Sequence, residues 1–245
     1  MNINPNKKVN CEDLGLIDYQ SAWNYQELLF QSIISKKLAN RDLPPQQQEY
    51  INNYLLICEH PHVFTLGKSG KEEHLLSSLD ILESKNATFI KINRGGDITY
   101  HGPGQVIVYP IIDLENFFTD IHKYLRFLEE AVINTLAEFK IIGERLEGMT
   151  GVWLDVGSKS PRKICAMGVR SSRWVVMHGL ALNVNTNLSF FEDIVPCGIQ
   201  DKAVTSIEKE LGSIQDIEFL KSRLIWHIAN VFQMELNFGL STSKF

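Results

Sequence analysis

The sequence predicts an α+β fold: a mixed or antiparallel sheet flanked by helices. Three observations predict it. Three long stretches carry apolar residues at helical spacing, seven short β-like runs fall in two groups between them, and no repeat, low-complexity tract or Gly/Ser/Pro linker divides the 245 residues. One domain over residues 1–245 is therefore expected, with its core at about residues 20–235.

In chain order, the first helix is predicted from Ser21 to Lys37, with Leu28, Leu29, Ile33 and Ile34 as its apolar stripe. The runs Leu55–Cys58, Val63–Leu66, Phe89–Asn93 and Val106–Ile112 follow as strands of ordinary length. Asp120 is a good N-cap for a second helix, whose stripe is Ile121, Leu125, Leu128, Val132, Leu136 and Phe139. Three more strands are expected at Val152–Val156, Lys163–Val169 and Trp174–Val184. Phe190–Ile194 reads as a short helix. Thr205 and Glu208 fit a capping box and Gly212 a stop, predicting a second short helix between them. The last helix spans Ile217–Met234, with Leu220, Leu224, Ile228, Val231 and Phe232 on one face.

Hydrophobic residues make up 44% and charged residues 22%, ordinary usage for a globular protein. A net charge of -5 argues against a general nucleic-acid binder. The polar start, Met1 to Lys8, has no apolar core of a secretory signal, and no apolar run reaches the roughly 18–20 residues that span a bilayer. A soluble, cytoplasmic monomer without membrane attachment is expected. Cys11, Cys58, Cys165 and Cys197 lack paired C-x-x-C spacing, which disfavours zinc and a disulfide framework. Each is then a free thiol, either core filler or reactive.

Four segments carry candidate chemistry. Arg94-Gly95-Gly96-Asp97-Ile98-Thr99-Tyr100-His101-Gly102-Pro103-Gly104-Gln105 is glycine-rich and lies between two predicted strands. Such a loop lets backbone N–H groups approach a ligand oxygen. It fits neither the P-loop nor G-x-G-x-x-G. In Pro196-Cys197-Gly198-Ile199, proline and glycine make an open turn suited to an exposed thiol, although a free cysteine is more often buried. A nucleophilic thiol needs a nearby cation or helix N-terminus to lower its pKa. In Lys163-Ile164-Cys165-Ala166-Met167-Gly168, strand alternation puts Lys163, Cys165 and Met167 on one face and Ile164 and Ala166 on the other. Lys163 either has a use for its charge or reaches solvent at the strand end. Cys165, between apolar neighbours, reads as filler. In His178-Gly179-Leu180-Ala181-Leu182-Asn183, a glycine inside a strand signals close approach by a ligand or another backbone. His178 is a base or a satisfied structural histidine, more often the latter. His60 and His62, without an acidic or thiol partner at ligand spacing, do not make a metal site.

Together these blocks resemble the lipoyl(octanoyl) transferase family. Arg94–Gln105 is similar to its R-G-G-x-x-T-Y-H-G-P-G-Q signature, and the Lys163–Gly168, Gly179–Asn183, Pro196–Ile199 and Val204–Ser206 segments resemble further blocks in the same order. The resemblance covers about Tyr25 to Leu211. It implies the fold shared by biotin and lipoate protein ligases. It also implies transfer of an octanoyl group from octanoyl-acyl carrier protein to a lysine of lipoyl domains, those of 2-oxoacid dehydrogenases or the glycine cleavage H protein. On that resemblance Cys197 is the nucleophile and Lys163 the cation beside it. The substrate would lie against Arg94, Gly95, Gly96, Asp97, Ile98, Thr99, Tyr100 and His101, against Ala166, Met167 and Gly168, and against Gly179, Leu180 and Ala181. No cofactor, neither ATP nor metal, is implied. Three rivals differ in chemistry. An ATP-dependent ligase of the same fold would carry other glycine motifs, a non-catalytic binder would need no thiolate, and a cysteine hydrolase would want a histidine base.

Overall fold

A central mixed sheet forms because several strands are apolar on both faces and so must be covered twice. The computed structural model describes residues 5–195 and 203–238. Its strands, in chain order, are β1 (Lys8–Leu16), β2 (Asn53–Glu59), β3 (Val63–Leu66), β4 (Thr88–Lys91), β5 (Ile98–His101), β6 (Gln105–Asp113), β7 (Glu144–Leu146), β8 (Met149–Leu154), β9 (Arg162–Ser172), β10 (Val175–Asn183), β11 (Ala203–Val204) and β12 (Glu235–Phe238). The helices are α1 (Tyr19–Asn40), α2 (Leu79–Ser84), α3 (Ile121–Glu138), α4 (Ile207–Leu211) and α5 (Ile217–Phe232).

Among the described residues, the large sheet runs β12-β1-β2-β6-β10-β9-β8-β7, with β11 added alongside β9. β1 pairs in parallel with β2 and β12, and β11 with β9, while the central pairs β2–β6, β6–β10 and β10–β9 are antiparallel. Every residue of β6 and of β10 is buried, as expected where helices cover both faces. On one face α3 and α5 pack over Val108, Leu180, Leu182 and Ile164. On the other, Ala22, Leu29, Phe30, Ile33 and Ile34 of α1 meet Ile107, Ile111 and Met177. A small sheet, β4-β3-β5, with its own core of Phe64, Leu66, Leu82, Ile98 and Tyr100, sits beside the large one.

The predicted helices are present with shifted ends, except that the short one expected at Phe190–Ile194 is a 3-10 helix over Leu188–Asp193. The α1 stripe starts earlier in the turn than expected: Leu28 is 66% exposed, and Ala22, Gln26 and Phe30 are buried in its place. Asp120 caps α3 by accepting the Lys123 N–H at 2.9 Å. The cap of α4 is Ser206 and not Thr205. Ser206 Oγ accepts the Lys209 N–H at 3.2 Å, while the Thr205 hydroxyl donates to the Glu210 carboxylate. Gly212 ends that helix at φ 70°, as its composition predicted.

Candidate functional site

One apolar cavity of about 820 Å³, mouth included, lies where the small sheet and the start of α1 meet β6, β9 and β10. The sequence builds it from three places. The glycine-rich segment supplies Arg94, Gly96, Asp97, Ile98, Thr99 and His101. β9 supplies Lys163, Ala166, Met167 and Gly168, and β10 supplies His178, Gly179, Leu180 and Ala181.

The glycine-rich segment is not a loop throughout. Ile98–His101 is strand β5, paired antiparallel with β3, so its side chains alternate. Thr99 and His101 face the cavity; Ile98 and Tyr100 turn to the small-sheet core, where Ile98 still borders the cavity and Tyr100 does not. Its ring is buried in the small-sheet core, stacked at 4.8 Å on Phe190, with its hydroxyl 2.7 Å from His62 Nδ1. Gly95 likewise lies outside the cavity lining. Its N–H donates to the Val169 carbonyl at 3.0 Å, and its own carbonyl is 2.7 Å from where a Cβ on Gly168 would stand. These two glycines let the loop rest directly on β9.

Arg94 is 8% exposed. Its Nη2 donates to the Thr65 carbonyl and to Thr65 Oγ1, at 2.8 and 3.0 Å, so the guanidinium braces the loop against β3. The Asp97 carboxylate accepts from His74 Nδ1 at 2.6 Å and from the Ile98 N–H at 2.7 Å.

On β9 the expected alternation fails at one residue. Val152 pairs with Cys165, but the next β8 residue, Trp153, pairs with Lys163, so Ile164 is an extra residue in a bulge. The bulge turns both Ile164 and Cys165 into the core beneath α3 and α5, and separates Lys163 from the face of Cys165. Lys163 instead shares the cavity with Ala166 and Gly168. Met167 touches both the core and the cavity. Lys163 is half-buried, with its ammonium 4.5 Å over the Trp153 ring. Burial holds the Cys165 thiol well above its ordinary range, so this sulfur is inert filler. Cys197, with the rest of the Pro196–Ile199 turn, lies outside the described residues.

His178 is a left-handed residue, φ 60°, in the middle of β10. It is 1% exposed, and its Nε2 donates to Asn93 Oδ1 at 2.9 Å. Burial, with Arg94 and Arg170 adding to it, pushes its pKa down to about 3, so it is neutral and a poor base. Gly179 follows because no Cβ fits: one would stand 2.1 Å from the Val108 carbonyl oxygen. The close approach expected there is by backbone. His60 and His62 have separate partners. His60 donates from Nδ1 to the Ile17 carbonyl at 2.7 Å and accepts from the Tyr109 hydroxyl at Nε2. His62 stacks on Phe190.

Sequence reading missed Tyr19, Ile107, Tyr109 and Phe191, which also line the cavity and which nothing local marks; Val204, another lining residue, stood in a family-like segment but was not assigned to the site. Gln105 and Asn183 stood inside the quoted segments, and their placement as buried amides in glycine-rich and apolar surroundings was a usable signal.

The family described as lipoyl protein ligase A/B catalytic domain matches residues 18–229. An octanoyltransferase of Cytophaga hutchinsonii is 59% identical over 239 residues, covering 96% of this chain and 97% of the relative. One from Flavobacterium johnsoniae is 58% identical, covering 94% and 99%. Among solved structures, a bipartite lipoate protein ligase from Thermoplasma acidophilum superposes with a TM-score of 0.68 at 15% identity, covering 97% of this chain and 88% of that one, a likeness of fold.

Proposed function

This chain belongs to the octanoyltransferases of the lipoyl protein ligase A/B catalytic-domain family and is an acyltransferase, and from that premise we propose the donor, acceptor and intermediate of its reaction. The donor is octanoyl-acyl carrier protein. The acceptor is a lysine of lipoyl domains, in 2-oxoacid dehydrogenases or the glycine cleavage H protein. Transfer runs in the cytoplasm, within one catalytic domain, through a thioester on Cys197.

The Cys197 thiolate attacks the donor carbonyl. The tetrahedral oxyanion collapses, the carbonyl–sulfur bond to the carrier breaks, and the carrier thiolate leaves. The acceptor amine then attacks the new thioester and forms an amide. Cys197 departs as thiolate, and the proton lost by the amine ends on the carrier thiol. Donor and intermediate are both thioesters, close in energy, so acylation needs no ATP. Backbone N–H groups of the glycine-rich segment can stabilise the oxyanion, an effect worth about 2.7–4 kcal/mol per donor. Ile98, Thr99, Leu180 and Ala181 suit the acyl chain, whose burial contributes about 0.8 kcal/mol per CH₂.

The observation that carries this reading is Lys163: a half-buried ammonium on the wall of an apolar cavity, on the strand face opposite the inert Cys165. An ammonium there has a use as the counter-charge of a thiolate. Incubation with octanoyl carrier protein and intact-mass measurement tests it. The unaltered enzyme should gain one octanoyl group. Cys197→Ser should gain none and transfer none, and Cys165→Ser should do both. An adduct that survives Cys197→Ser would refute the assignment. Lys163→Ala should move the midpoint of the iodoacetamide rate–pH profile upward, and an unmoved midpoint would remove Lys163 from that role.

A further inference from the structure

A chain of side-chain and backbone hydrogen bonds runs along the cavity wall, through Arg94, His101, Gln105 and Asn183 to Lys163, and chemistry fixes its direction. At one end a guanidinium can only donate, so Arg94 Nη2 gives its proton to Thr65 Oγ1 at 3.0 Å. The Thr65 hydroxyl proton is then left for His101 Nε2, at 3.4 Å the longest link. In the middle, Gln105 Nε2 lies 3.2 Å from the Tyr100 carbonyl, which can only accept, so Gln105 Oε1 is the atom 2.8 Å from His101 Nδ1. His101 therefore carries its proton on Nδ1. Gln105 Nε2 also donates to Asn183 Oδ1 at 2.8 Å. Asn183 Nδ2 donates to the Thr205 carbonyl at 3.0 Å, and the Thr205 N–H donates to the Lys163 carbonyl at 2.9 Å.

Thr65, His101, Gln105, Asn183 and Thr205 are all buried, so a broken link leaves a buried polar group short of a partner. The donors all point the same way, and from Thr65 through His101 and Gln105 to Asn183 each bond polarises the next. Thr205 is held on a third side by its hydroxyl on the Glu210 carboxylate, which also takes Arg162.

We propose that Gln105 and Asn183 are positioning residues for octanoyl transfer, closing a one-directional hydrogen-bonded chain from Arg94 to the Lys163 carbonyl that sets the Lys163 backbone in the cavity wall. This rests on the reading of Lys163 as the counter-charge of the nucleophile. The bulge at Ile164 makes the brace necessary. It interrupts the β8–β9 ladder beside Lys163, and the β11 pairing through Thr205 replaces the lost hold. Both amides stand in the cavity wall, but the chain already uses the Asn183 oxygen and both kinds of Gln105 polar atom, so their polar groups serve the chain and not the substrate.

The test compares Gln105→Met, Asn183→Leu and the double variant. Each single change should lower kcat about tenfold with KM held within about twofold, from one broken buried link. Each should also raise the midpoint of the Cys197 alkylation profile. The double variant should be no worse than either single one, because a broken chain cannot be broken twice. Additive losses, a change confined to KM, or an unmoved alkylation midpoint would overturn the proposal. Nitrogen-15 NMR of the unaltered enzyme needs no variant to fold. It should find His101 with its proton on Nδ1, and a proton on Nε2 would refute the chain's direction. Failure of the underlying reading looks different: Cys197→Ser would keep transfer activity while the His101 tautomer stayed as stated.

Discussion

Gly179 shows how a single missing side chain shapes the cavity. A Cβ there would stand 2.1 Å from the Val108 carbonyl oxygen and 2.8 Å from Pro110 Cδ, both on β6. Backbone cannot swing aside as a long side chain would, so β6 and β10 must part. Gly179→Ala should cost about 1–3 kcal/mol of stability, measured by urea denaturation. A change below a few tenths would show that the sheet yields freely. At neighbouring His178 the sequence left two readings open, and burial with a pKa pushed down to about 3 favours the structural one. Tyr100 shows the opposite limit. It stands in the family-like signature between two cavity residues, yet strand alternation sends it into the small-sheet core.

At the scale of elements, periodicity succeeded where one face of a helix is buried. α3 begins at its predicted cap, and Leu128, Val132 and Leu136 are fully buried. Asp120→Ala should lower stability by about 1 kcal/mol and leave transfer activity as it was, since Asp120 is remote from the cavity lining. A loss beyond about 2 kcal/mol by the same measurement would mean the cap does more than start the helix. Strands were legible when mostly apolar and buried along their whole length, as β3, β6 and β10 are. They were missed when they lie at an edge or carry few buried residues. β1 buries only Val9 and Cys11 of its nine residues, and β12 borders it at the rim of the sheet. β5 was hidden among glycines. The β9 bulge was illegible because a bulge is a property of two strands in register, and one sequence segment holds half of that information.

For the whole molecule, three buried histidines come from different parts of the chain, and two of them, His101 and His178, line the cavity. His60 follows β2, His101 closes β5 and His178 lies in β10; their pKa values are pushed down to about 4, 3 and 3, chiefly by burial. His60 and His101 also stand with ring centroids 6.1 Å apart, so protonating one opposes the other. In the unfolded chain each would titrate near 6.5. Between that value and its folded pKa, the unfolded state binds more protons, so stability rises with pH there. The neutral-state contribution is complete above about pH 6.5 and is withdrawn as pH falls toward 4, with an upper slope of about 1.4 kcal/mol per pH unit for each histidine. Urea midpoints should fall steeply from pH 6.5 to 5 and change little from 7 to 8. A flat profile over the acid range would show that these rings accept protons without unfolding.

The sequence alone determined the α+β class, the long helices, the apolar central strands and the segments that form the cavity, because caps, periodicity and glycine patterns are local. It also carried the ordered motifs that identify the family. Only the tertiary structure decided which residues inside those motifs face the cavity. The bulge at Ile164, the turn of Tyr100 into the small core and the amide chain from His101 to Thr205 each join residues far apart in sequence. Their placement follows from packing and from the need to satisfy buried polar groups, which no local pattern encodes.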